Sequence, residues 1–223
     1  MAYPPFDLTG KVALVTAGNS GIGLGIAMAV AQAGADIAIW GTNAKKNDAA
    51  KAALAVTGRK VVALQCDVGD EGAVDAAMKE TVSALGRVDG CFANAGVSGR
   101  GTASFMEMTS EEWHRVLKVN LDGAFYTFRD AARHMVERGG GGVLVGTASL
   151  AAIEGAARSE HYAATKGGMI SMVRGLAVEP ARHKIRAHSI LPGWIETDMT
   201  ANAVANEKFR NNVLPRIPAR RWG

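Results

Sequence analysis

At 223 residues with 48% hydrophobic side chains, the chain is long enough to bury one sizeable core, and residues 1–223 are expected to form a single domain. The formal net charge of +4 arises from basic residues spread along the chain and clustered only at Arg216, Arg220 and Arg221, which argues against a nucleic-acid groove and suits an anionic small molecule. No apolar stretch has the length of a membrane span and Met1-Ala2-Tyr3-Pro4-Pro5 lacks the form of a signal peptide, so a cytoplasmic protein with neither membrane nor nucleic-acid partners is expected.

Lys11 to Thr16 opens a series of short runs rich in Val and Ile; a glycine-rich turn and a helical segment from Ile22 to Ala33 follow it. The same rhythm returns at Asp36 to Trp40, Lys60 to Gln65, Val88 to Ala93, Gly142 to Thr147 and Ile185 to Leu191, with helical stretches between. Strands alternating with helices predict an α/β protein with a parallel sheet covered on both faces. Right-handed crossovers make it a doubly wound sheet of Rossmann type, whose ligand crevice lies beyond the carboxyl ends of the strands. Cys66 and Cys91 fall in apolar runs and read as buried free thiols. The histidines (His114, His134, His161, His183, His188) show no metal-ligand spacing, so no metal is expected. The Gly139-Gly140-Gly141-Gly142 run reads as a flexible connection into the fifth strand, or as no more than a helix termination.

The turn Thr16-Ala17-Gly18-Asn19-Ser20-Gly21-Ile22-Gly23 closes the first strand and opens the first helix. Small residues there let backbone approach a pyrophosphate, whose charge the helix N-terminus attracts; a tight strand-to-helix joint needs glycine equally. Asp67-Val68 follows the third strand and Asn94-Ala95-Gly96 the fourth. An aspartate at that place can accept from an adenine amino group or cap a helix. At the end of the second strand, Trp40-Gly41-Thr42-Asn43 has no acid to bind a ribose 2′-hydroxyl, and Lys45 and Lys46 follow without an arginine. The pattern leans to NADP over NAD.

Further along, Trp113, Val116, Leu117, Leu121, Ala124, Phe125 and Phe128 recur at helical spacing as a buried stripe, with Asn120 inside it. A buried amide left unpaired costs about 1–3 kcal/mol, so Asn120 is expected to be hydrogen-bonded. Tyr162 and Lys166, four residues apart, share one face of a helix, with Ser149 arriving from a separate strand. Such a spacing also occurs by chance. As chemistry, a fixed cation would favour a phenolate and lower the tyrosine pKa, and the serine hydroxyl would hold a substrate oxygen beside it. Met169, Val173 and Leu176 continue the same face, so Lys166 is expected to point inward.

Taken together, these residues resemble the classical short-chain dehydrogenase/reductase family over essentially the whole chain. Its T-G-x-x-x-G-x-G turn is matched by Thr16 to Gly23, its adenine contact by Asp67-Val68, its N-N-A-G motif by Ala93-Asn94-Ala95-Gly96, and its active site by Asn120, Ser149, Tyr162 and Lys166. The resemblance implies cofactor contacts from Thr16, Gly18, Asn19, Ser20, Gly21, Ile22, Gly23, Thr42, Asp67, Val68, Asn94, Ala95, Gly96, Tyr162, Lys166, Pro192, Gly193, Ile195 and Thr197. It implies that Tyr162 exchanges the proton, Ser149 orients the oxygen, Lys166 lowers the tyrosine pKa and binds the nicotinamide ribose, and Asn120 anchors the proton path. The implied activity is NAD(P)-dependent hydride transfer between nicotinamide and a carbonyl or secondary alcohol, of the ketoreductase, sugar dehydrogenase or 3-oxoacyl reductase kind, in a homo-oligomer, dimer or tetramer. Two departures stand out: Ala17 replaces the first glycine of the turn and Ala93 the first asparagine of the fourth-strand motif, and both are expected to tune affinity and local stability.

Residues 194–222 are expected to form a substrate-facing flap, with Trp194, Met199, Phe209 and Val213 offering a mixed surface. Family chains continue past an Arg-Trp-Gly such as Arg221-Trp222-Gly223 through another helix and a seventh strand, so the C-terminal strand is expected to be missing here. That leaves a cofactor-binding protein with little turnover as the alternative, and an epimerase or dehydratase using the same tyrosine and lysine as a third reading.

Overall fold

The computed structural model describes residues 6–99 and 104–223, so the Met1 to Pro5 stretch considered above lies outside the described residues. Strands β1 (Val12–Thr16), β2 (Asp36–Gly41), β3 (Val61–Gln65), β4 (Gly90–Ala93), β5 (Gly142–Thr147) and β6 (Ile185–Ile190) pair in parallel in the order β3-β2-β1-β4-β5-β6. The strand order reverses between β1 and β4, and a doubly wound sheet opens its ligand crevice at that switch point. The expected sheet is therefore present, with boundaries shifted by a residue or two. Val88 is buried but precedes the ladder, since its N–H donates to His134 Nε2 (3.1 Å).

Helices α1 (Gly21–Gln32) and α2 (Ala44–Ala55) cover one face of the sheet, where Ala13, Val15, Ile37 and Ile39 meet Ala27, Ala31, Ala50 and Leu54. The other face takes Leu14, Trp40, Cys91 and Leu144 against α3 (Glu71–Leu85), α5 (Gly123–Arg138) and α7 (Glu160–Val178). β1 is buried at every position because alternate side chains enter two different cores, as a sheet sandwiched between helices requires. Trp40 satisfies its indole N–H inside the core on Thr81 Oγ1 (3.0 Å). Cys66 and Cys91 are buried free thiols; burial pushes Cys66 up to about 11 and Cys91 higher still, leaving both protonated.

Between α4 (Ser110–Leu117) and α5 the chain makes a π-helical segment, Lys118–Asp122. Ala124 and Phe128 of the expected stripe face the core with Thr127 and Ala131, whereas Phe125, expected among them, is 46% exposed. The glycine run before β5 terminates α5, with Gly139 as its C-cap donating to the Met135 and Val136 carbonyls. Gly139, Gly140 and Gly141 all have positive φ, and a Cβ on Gly141 would fall against the Lys184 carbonyl, so the run is a tight passage only glycine can make. After β6 the chain continues through α8 (Ala201–Ala205) and α9 (Glu207–Val213), following the short α6 (Ala151–Glu154) that precedes α7. Among the described residues no helix is long and apolar enough to cross a membrane.

Candidate active site

Ser149 lies just beyond the carboxyl end of β5, and Tyr162 and Lys166 project from the first turns of α7 toward it. Lys166 is 3% exposed, and its Nζ donates to the Thr147 carbonyl (2.7 Å) while sitting 5.6 Å from the Tyr162 ring centroid. Burial lowers its pKa from 10.5 to about 8. Tyr162 behaves differently from the expectation: burial raises its pKa, and the hydrogen bond with the Ser149 side chain offsets this in part. Ser149 Oγ also accepts from Ala151 N–H (3.2 Å), which fixes the hydroxyl at the entry to α6.

Asn120 occupies the π segment and is fully buried. Its Oδ1 accepts from Val97 N–H (2.7 Å) and its Nδ2 donates to Val97 O (3.0 Å) and Thr165 Oγ1 (3.2 Å), so the expected pairing is present and ties the end of β4 to α7. Gly96 fits between this amide and the lysine: a Cβ there would stand 3.4 Å from both Asn120 Oδ1 and Lys166 Nζ.

A cleft runs from this corner across the switch point. One end is lined by Ser20, Gly21, Ile22, Gly23, Asn94, Gly96, Ser149, Tyr162, Lys166, Pro192, Gly193, Ile195 and Thr197; the other by Asn19, Thr42, Asp67, Val68 and Ala95. Thr16 and Gly18 are not on its wall. Thr16 is buried, accepting from Asn94 N–H and Ala95 N–H (both 2.9 Å), and a Cβ on Gly18 would collide with Ile39 at 2.6 Å. These two positions set the backbone of the turn. Gly23 serves the same purpose, since its Cβ would meet the Ala17 carbonyl and Asn94. Ala17 holds a left-handed φ of 48° where a glycine would be unstrained. Asp67 Oδ1 accepts from Gly69 N–H (2.9 Å), so the carboxylate caps its turn while its residue lines the second end of the cleft.

The donor set fits a dinucleotide. The N-cap Ser20 makes no side-chain cap and the first turn of α1 has no acid, leaving the helix's leading N–H groups and positive dipole end free to face a pyrophosphate. Thr147 Oγ1 and both ring nitrogens of the buried His161 have no hydrogen-bond partner among the described residues, although His161 Nε2 lies 3.5 Å from Glu112 Oε1. Lys46 from α2, already noted after the second strand, reaches across the cleft to Asp198 from the segment after β6, which the sequence did not single out, and the two pair at 2.6 Å. No group of His, Cys, Asp and Glu that could hold a metal occurs among the described residues.

Comparison with known proteins places these features in context. A family model described as enoyl-(acyl carrier protein) reductase matches residues 16–223. The chain is 33% identical to 2-dehydro-3-deoxy-D-gluconate 5-dehydrogenase of Escherichia coli (strain K12) over 223 residues, covering 100% of this chain and 87% of that protein. It is 33% identical over 217 residues to L-rhamnose 1-dehydrogenase (NAD(P)(+)) of Sphingomonas sp. (strain SKA58), covering 97% and 85% respectively. The crystal structure of a gluconate 5-dehydrogenase from Burkholderia cenocepacia J2315 in complex with NADP and tartrate is similar at a TM-score of 0.91 and 32% identity, over 98% of this chain and 84% of that one.

Proposed function

The chain belongs to the classical short-chain dehydrogenase/reductase family, and from that premise we propose that Tyr162, Ser149, Lys166 and Asn120 carry its reaction. It is an NAD(P)-dependent oxidoreductase acting on a carbonyl or secondary alcohol. The observation that carries the assignment of roles is the convergence of the Tyr162 phenol, the Ser149 hydroxyl and the buried Lys166 ammonium at one end of a cleft whose other wall is the glycine turn of α1.

In this reading Tyr162 O–H donates its proton to the substrate oxygen in reduction and recovers it in oxidation. Ser149 Oγ holds that oxygen within reach of the phenol. Bound nicotinamide supplies or accepts the hydride. Lys166, anchored on Thr147 O, keeps its ammonium beneath the phenol and toward the nicotinamide ribose. Asn120 locks the loop after β4 to α7, so that Gly96 and Lys166 keep their separation. The helix N-terminus of α1 with Ser20 to Gly23 takes the pyrophosphate, and Asp67-Val68 the adenine.

Residues 194–222 form the substrate-facing flap. Trp194 meets Phe209 edge-on (4.8 Å between centroids) and Phe209 stacks with Trp222 (6.4 Å), which gives α9 a fixed seat beside Ile195 and Thr197. The sugar-acid and sugar relatives support a polyhydroxylated carbonyl or alcohol as substrate, with 3-oxoacyl thioesters the second candidate class. A homo-oligomer, dimer or tetramer, acting in the cytoplasm completes the proposal by family resemblance.

The test is a panel of keto-sugar acids, sugars and 3-oxoacyl thioesters, with enoyl thioesters as a control, followed at the nicotinamide absorbance with NADPH and NADH in parallel. Turnover of a carbonyl substrate supports the reading. Reduction confined to the enoyl control, or cofactor binding without any turnover, would overturn it.

A further inference from the structure

The Lys46–Asp198 pair joins residues 152 positions apart across the mouth of the cofactor cleft. Lys46 lies in the first turn of α2, whose N-cap Asn43 accepts from Lys46 N–H (3.0 Å), and it lines the cleft with Thr42 at the carboxyl end of β2. In a doubly wound dinucleotide fold that end meets the adenosine ribose 2′ position. No acid occupies it here, and of the two cations lining this end Arg115 is held by Glu112, so Lys46 is the one on the β2 side for a 2′-phosphate to meet.

Asp198 arrives from the opposite rim, on a turn closed by its own bonds. Thr200 Oγ1 accepts from Thr197 N–H (3.0 Å) and donates to Ile195 O (2.6 Å), and Thr197 Cγ2 lies 3.1 Å from the place a Cβ on Gly21 would take. A turn built this way moves as a unit, so the carboxylate's grip on Lys46 also holds the start of the flap against the glycine turn.

We infer that Asp198 is a built-in competitor for Lys46, so that the choice between NADPH and NADH depends on an ion pair spanning the cleft. The inference rests on the dehydrogenase reading above and adds to it a residue that acts on cofactor choice. A phosphate monoester carries about −1.5 to −2 charges at neutral pH and outcompetes a single carboxylate for one exposed ammonium. The pair is 50% and 78% exposed at its two side chains and is correspondingly weak, so the phosphate displaces Asp198 without blocking binding. The work of displacement falls on NADPH alone, because NADH leaves the pair closed.

The test is the ratio of NADPH to NADH dissociation constants, measured by cofactor fluorescence on the full chain for wild type, Asp198→Asn, Lys46→Met and the double variant. Asp198→Asn should raise the preference for NADPH by about two- to fivefold, the range of an exposed ion pair, and more at low salt than at high salt. Lys46→Met should lower NADPH affinity and remove the effect of Asp198→Asn. If both cofactors bind and Asp198→Asn leaves the ratio unchanged, or acts equally with Lys46 absent, the inference fails and the dehydrogenase reading stands. If neither cofactor binds wild type, both fall together.

Discussion

Asn120 closes on Val97 with both ends of its amide, Oδ1 accepting from the N–H at 2.7 Å and Nδ2 donating to the carbonyl at 3.0 Å. A side chain thereby does for the loop after β4 what a neighbouring strand would do. Asn120 is fully buried and Val97 half-buried beside the cleft, so removing the amide leaves Val97 N–H and C=O without their protein partner. Asn120→Ala should destabilise the chain by about 2–4 kcal/mol, read as a shift of the urea midpoint at constant slope. Asn120→Asp should lose more activity than its stability loss explains, since a carboxylate accepts from Val97 N–H but repels the carbonyl and adds a charge near Lys166.

Lys166 makes a second prediction, through stability against pH. Its folded pKa, about 8, lies below the ordinary 10.5, so the buried ammonium destabilises the fold whenever it is charged. The sign follows: the penalty is fully present below pH 8 and is relieved as pH rises from 8 to 10.5, where the unfolded chain still binds the proton and the folded one does not. Lys166→Met should therefore be more stable than wild type at pH 7, by up to about 3 kcal/mol at 1.36 kcal/mol per pKa unit. The difference should shrink between pH 8 and 10.5. A variant less stable than wild type at pH 7 would mean that the hydrogen bond to Thr147 O outweighs desolvation.

Much of this was legible in the sequence, and the failures have separate physical causes. Alternating Val and Ile runs reveal strands because a sheet covered on both faces buries every position of β1. Ser149, Tyr162 and Lys166 are brought together because β5 and the start of α7 share one end of the sheet. Phe125 stands beside Ala124 at the edge of its stripe, and apolar spacing alone does not reveal on which side of Ala124 the buried face ends. A turn motif records where backbone is constrained, as at Thr16, whose hydroxyl is buried against the start of the loop after β4, and at Gly18, where a Cβ would collide with Ile39. Spacing reveals the charge beside Tyr162 and not the depth at which the phenol is buried, and that burial raises its pKa. Asp198 opposite Lys46 had no local signature at all, since the pair is made by the fold and not by any periodicity.

Ala17 offers a test of the turn. Its φ of 48° lies in the left-handed region, which is unfavourable for a residue with a Cβ. Glycine relieves that strain and gives back part of the gain as unfolded-state entropy. Ala17→Gly should stabilise the chain by about 0.5–1 kcal/mol in urea or guanidinium unfolding. A destabilised variant would show that the methyl packs favourably enough to hold the strained conformation.

Tyr162→Phe isolates the proton. The ring remains in its half-buried seat on α7, so packing is kept, while the hydroxyl that bonds Ser149 is lost. General acid–base catalysis contributes about 10²–10⁴-fold, and turnover should fall by that factor or more with cofactor dissociation constants changed by no more than about twofold. The wild-type pH profile carries the same information. Burial raises the phenol pKa, so the protonated acid needed for carbonyl reduction prevails at neutral pH, whereas alcohol oxidation needs the phenolate and should accelerate as pH climbs toward that raised value. The two directions should therefore respond to alkaline pH with opposite signs, and Tyr162→Phe should flatten both profiles. Retained turnover in Tyr162→Phe, or oxidation and reduction profiles that rise together, would take the proton away from Tyr162 and assign it to another group in the cleft.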